Sequence, residues 1–67
     1  MTPQDQVAQD FMCRKGFHDV EPRDITKLEG IACWYYVYDL PNGDVLELEV
    51  SWENGSWDTL ITTFLRA

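Results

Sequence analysis

The chain has little of what most enzymes and metalloproteins are built from. It holds one histidine, His18, and two cysteines, Cys13 and Cys33. Zinc sites usually announce themselves as two pairs of closely spaced ligands. Here Cys13 and His18 form one such pair, and only Cys33 and an acid such as Asp19 remain to complete a set. With a single histidine, a nucleophilic cysteine has one place to find its base. Cys13 is the nearer thiol. It stands at the end of an expected helix, where the negative dipole end raises a thiol pKa and Arg14 and Lys15 only partly offset that. No glycine-rich phosphate loop and no G-x-S-x-G turn is present. The expectation is a non-enzyme with no cofactor, no metal and no catalytic residue. A small thiol- or metal-dependent activity at Cys13/His18/Cys33 is the third of three functional readings.

Positive charge is also scarce. Five Lys and Arg stand against twelve Asp and Glu, for a net charge of −7. The imbalance is uneven: residues 1–30 carry six acids and four bases, residues 31–67 six acids and one base, Arg66. Such a chain repels phosphate backbones and anionic lipid, which argues against direct nucleic-acid or membrane-surface binding. The longest apolar run, residues 31–37, is far short of the roughly 20 needed to span a bilayer. The start, Met1-Thr2-Pro3-Gln4-Asp5, has neither the basic nor the apolar part of a secretory signal. Two cysteines do not make a disulfide framework. These features lead to the expectation of a cytoplasmic protein with free thiols.

What the chain does have is aromatic bulk: three Trp, three Tyr and three Phe, within a 45% hydrophobic composition. A 67-residue chain makes one small domain that buries only roughly 60% of its unfolded surface. Aromatic side chains, at about 150–250 Å² each, are one way to make that enough.

The first segment reads as a helix over residues 2–15. Thr2 suits the N-cap and Pro3 the first helical position, with Asp5 in a capping-box-like place three residues after Thr2. Val7, Ala8, Phe11 and Met12 form one apolar stripe, and Gly16 is suited to the left-handed residue beyond the C-cap. Phe17 and Val20 are expected core contacts, Pro22 is expected to interrupt regular structure, and residues 24–28 allow a short charged edge strand.

Residues 31–52 carry the strongest signal. Residues 31–40 are rich in aromatic and β-branched side chains, and Pro41-Asn42-Gly43 is a turn in which proline presets φ and glycine takes the left-handed position. With those three as the loop, Tyr38 faces Leu46, Tyr36 faces Leu48, Trp34 faces Val50 and Ala32 faces Trp52. These eight share one face. Val37–Glu47, Tyr35–Glu49 and Cys33–Ser51 share the other. A one-residue slip would scramble both.

Asn54-Gly55 marks a second hairpin. In residues 57–65 the apolar positions fit a helix, but the threonines and the turn favour a strand. As a strand it is apolar on both faces, which implies a central or covered position. The fold expected is α+β: one N-terminal helix packed on a three- or four-stranded antiparallel meander. No motif selects a family.

One helix covers one side of a sheet. Tyr35, Val37, Glu47 and Glu49 lie on the other, joined by Leu60 and Phe64 if Trp57 pairs with Trp52, or by Trp57, Ile61 and Leu65 if the turn is one residue longer. Glu47 and Glu49 have a separation that overlaps that of glycosidase carboxylates, but alternating acids on a solvent face are ordinary strand patterning. Apolar groups rimmed by acids mark interaction surfaces. The first reading is therefore a protein-interaction module, using this face or a sheet edge to bind a protein partner, a basic one by charge, or a second copy of itself. The second is an acidic inhibitor that imitates nucleic-acid charge. A competing structural expectation is that residues 17–30 cover the face as a lid.

Overall fold

The computed structural model describes residues 2–66. Helix α1 (Pro3–Arg14) is bounded by the residues suited to bound it. The Asp5 amide donates to Thr2 Oγ1 at 3.3 Å, and Pro3 opens the helix where no N–H is needed. At the far end Gly16 has a φ of 90°. Its N–H donates to the Cys13 carbonyl at 3.0 Å, and the Phe17 N–H to the Met12 carbonyl at 2.9 Å. This Schellman pair turns the chain back so that Phe17 packs on the core. Ala8, Phe11 and Met12 are buried, with Val7 half-buried beside them.

Four strands follow, β1 (Pro22–Lys27), β2 (Cys33–Asp39), β3 (Val45–Glu53) and β4 (Ser56–Leu65), in one antiparallel sheet of order β1-β2-β3-β4. The fold is α+β, a helix on a four-stranded meander. The β2–β3 register pairs Tyr38 with Leu46, Tyr36 with Leu48 and Trp34 with Val50, as the turn chemistry requires. The Gly43 N–H donates to the Leu40 carbonyl at 2.9 Å, with Gly43 at a φ of 92°. The Leu40 N–H donates to the Asp44 carbonyl at 2.8 Å, and the Trp52 N–H to the Ala32 carbonyl at 2.9 Å, closing both ends of the ladder. This register sends Tyr36, Leu46, Leu48 and Val50 toward the helix side, each no more than 2% exposed. Burying a leucine or valine of this kind contributes about 1.5–3 kcal/mol, so a slipped register would forfeit several such terms together.

Four expectations are corrected, two before β2 and two in β4. Residues 17–30 do not fold over the outer face. Residues 22–27 pair with β2 at the sheet edge, while Phe17 and Val20 pack on the helix side. Pro22 does not interrupt the structure but begins β1, because the first residue of an edge strand owes no ladder N–H. The register shifts between Pro22 and Asp24, leaving Arg23 unpaired in the ladder. Its guanidinium reaches Asp39 at 3.2 Å.

The second hairpin is a two-residue turn. Asn54 and Gly55 have φ values of 53° and 81°, so Glu53 faces Ser56 and Trp52 faces Trp57. Residues 57–65 are thus strand, as the Asn-Gly turn favoured. A bulge then intervenes: Ile61 faces Leu48 but Thr63 faces Glu47, leaving Thr62 as the extra residue. The Thr62 hydroxyl lies 3.3 Å from the Glu47 carbonyl and 3.2 Å from its Oε1. Beyond the bulge the faces exchange. Phe64, expected outside with Leu60, faces Leu46 on the helix side, and Leu65 takes the outer position. Nor is β4 central. It is an edge strand, with Leu60 and Leu65 each 60% exposed.

Helix α1 lies across β3 and β4. Over the β1–β2 half of the same face, the loop after the helix supplies the cover.

Candidate interaction surface

The outer face is built from two cross-strand rows. One runs Thr26, Tyr35, Glu49, Leu60 from β1 to β4. The next runs Asp24, Val37, Glu47, Thr63. The four residues singled out in the sequence, Tyr35, Val37, Glu47 and Glu49, therefore sit together at the centre of the face, each half-buried by its neighbours. Alternation is what places them: with Tyr36 and Leu48 turned to the helix, the residues beside them must turn away.

The face is negative. Asp24, Asp39, Glu47, Glu49 and Asp58 all fall on it by register. Among the described residues one ion pair is present, Arg23 with Asp39, so the other four acids have no ion-pair partner there. Tyr35 senses this field. The charge of Glu49 foremost, then burial, Cys33 and Glu47, pushes its hydroxyl above the ordinary 10.0.

Glu49 is fixed in place by Cys33, whose thiol donates to Glu49 Oε1 at 3.2 Å. Burial first, and then the bond to and charge of Glu49, raise the Cys33 thiol to about 11. Cys33 is 3% exposed and serves the face as a small packed donor. Cys13 lies on the other side of the sheet, where it borders a cavity beneath α1. A site gathering Cys13, His18 and Cys33 would need both sides of the sheet at once. His18 is exposed in the loop after the helix.

Sequence reasoning located the centre of this surface but not its extent. Asp24 from β1 and Asp58 from β4 join it, and Leu65 replaces Phe64. The single acid of each edge strand, Asp24 in β1 and Asp58 in β4, is the signal that would have extended it once strand alternation was applied to both. On the other side of the sheet, Tyr36 donates to Asp5 Oδ1 at 2.6 Å, a bond linking helix to sheet that no spacing announced.

Compared with protein-family models, curated proteins and solved structures, the chain matches none. No helix among the described residues is long and apolar enough to cross a membrane.

Proposed function

We propose that the chain is a non-enzymatic interaction module that docks a lysine- or arginine-rich protein surface on the helix-free face of its sheet. One observation carries this reading. Tyr35, Val37 and Leu60 lie on a face whose Asp24, Glu47, Glu49 and Asp58 have no ion-pair partner among the described residues. The apolar groups supply area that gains from leaving water, and the acids select the partner's charge and speed its approach. A second copy is the poorer occupant, because it would bring another −7 against the same acids.

The test is a titration of the isotope-labelled protein with a basic peptide of alternating Lys and Val, read by amide chemical shifts. Saturable shifts should centre on Tyr35, Val37, Glu47, Glu49 and Leu60. They should weaken as salt rises from about 0.05 M to about 0.5 M, where screening shortens to a few ångströms. Tyr35→Ala with Val37→Ser should leave the fold intact and remove the shifts. Binding that survives this double variant, or shifts that map to the helix, would overturn the assignment. So would a dimeric mass by light scattering that dissociates in favour of no basic peptide, which gives the face to a second copy.

A further inference from the structure

Because α1 sits over β3 and β4, a cavity of about 380 Å³ remains between the helix, the loop after it and the β1–β2 half of the sheet. That volume falls within the range of roughly 300–1,000 Å³ typical of small-molecule sites. Its wall divides by chemistry. Met12, Phe17 and Ile25 give an apolar part, and Asp5, Asp19 and Glu21 give three carboxylates. Among the described residues, no lysine, arginine or histidine lines it.

The carboxylates alone would signify little, but Tyr38 adds an independent feature. It is 2% exposed, and its hydroxyl makes no hydrogen bond to any described residue. No polar side-chain atom among the described residues is both sealed from solvent and unbonded. The hydroxyl therefore keeps a small accessible area, and Tyr38 is one of the residues that line the cavity. A hydroxyl with no protein partner leaves an acceptor and a donor open to an incoming group. The neighbouring Tyr36 hydroxyl, in contrast, is already committed to Asp5 at 2.6 Å. Burial and then the charge of Asp5 push the Tyr38 hydroxyl up to about 12, so it stays protonated and neutral at physiological pH.

We propose that this cavity binds a small aliphatic amine in its cationic form. The ammonium group lies among the Asp19 and Glu21 carboxylates and the Tyr38 hydroxyl, and the carbon chain lies along Met12, Phe17 and Ile25. The net negative wall selects a cation over an anion, and the apolar half selects a carbon chain over a bare metal ion. Asp19 is held at a φ of 59°, a conformation that asparagine tolerates as well as aspartate, so the charge can be removed without disturbing the loop. The site lies on the opposite side of the sheet from the proposed docking face, and neither depends on the other.

The probe is n-pentylammonium, titrated at neutral pH and followed by amide shifts, with 1-pentanol and pentanoate as controls. Saturable shifts should appear at Asp19, Glu21, Ile25 and Tyr38. Pentanol should bind at least about tenfold more weakly, and pentanoate not at all. Asp19→Asn with Glu21→Gln, both exposed loop positions, should weaken pentylammonium about tenfold while leaving the spectrum folded. Tyr38→Phe should weaken it too. Equal binding of pentanol would reduce the site to an apolar hole and overturn the proposal. Undiminished binding to the carboxamide variant, shifts confined to the outer face, or no saturation would each do the same.

Discussion

The Tyr36 hydroxyl donates to Asp5 Oδ1 at 2.6 Å, joining the first turn of α1 to the middle of β2. Tyr36 is 1% exposed, so the bond stands at the base of the helix–sheet interface. Its two ends are displaced in opposite directions. The Tyr36 hydroxyl foremost, and then the Thr2 side chain and backbone, hold the Asp5 carboxyl below its ordinary 3.8 against the opposing effect of burial. Burial first, then the bond to Asp5 and its charge, raise the Tyr36 hydroxyl well above 10.0.

A lowered folded pKa at Asp5 gives stability that is present above 3.8 and lost as pH falls through the folded value. A raised one at Tyr36 gives stability that is present below 10.0 and lost as pH climbs beyond it. Tyr36→Phe should cost about 1.5–3 kcal/mol at neutral pH, the range for a hydrogen bond to a charged group, and should flatten the loss of stability in acid. Asp5→Asn should overlap with it, so the double variant loses less than the two singles together. Urea midpoints across pH decide this. Strict additivity would mean that the two side chains do not act as a pair.

The cysteines should differ in reactivity. Cys33 is buried, bonded to Glu49 and raised to about 11, whereas Cys13 is partly open. At about pH 8, iodoacetamide should label Cys13 first and leave Cys33 largely unmodified in the native protein, as read by peptide mass. Glu49→Gln removes the charge that helps raise the thiol and should speed labelling of Cys33. Equal rates at both cysteines in the native protein would contradict the hydrogen bond.

The bulge at Thr62 predicts an order of sensitivity at the end of β4. Phe64→Ala, on the helix side, should cost about 1 kcal/mol, while Leu65→Ala, on the open side, should stay within about 0.5 kcal/mol. A strand without the bulge would reverse that order. Thermal melts of the two variants distinguish the cases.

The features legible in the sequence are those fixed by neighbours in the chain. Thr2, Pro3 and Gly16 set the helix ends, and Pro41-Asn42-Gly43 set the β2–β3 register, from which Tyr35, Val37, Glu47 and Glu49 follow by alternation. Thr62 left no comparable sign. It is one β-prone residue among others, and an inserted residue changes the faces without changing the composition. The lateral position of α1 was hidden for another reason. Alternation tells which side of a sheet a helix covers but not which strands, so the cavity beside β1 and the open hydroxyl of Tyr38 could not be anticipated. Pro22 misled because a proline that ends most structures is harmless at the first position of an edge strand.

The offset of α1 also divides the protein into unequal halves. β3 and β4 carry the helix, whereas β1 has one strand beside it and a hollow above it. Amide hydrogen exchange proceeds through the segments that open most cheaply. It would find β1 first, making it the strand that detaches while the remainder of the sheet still holds its shape.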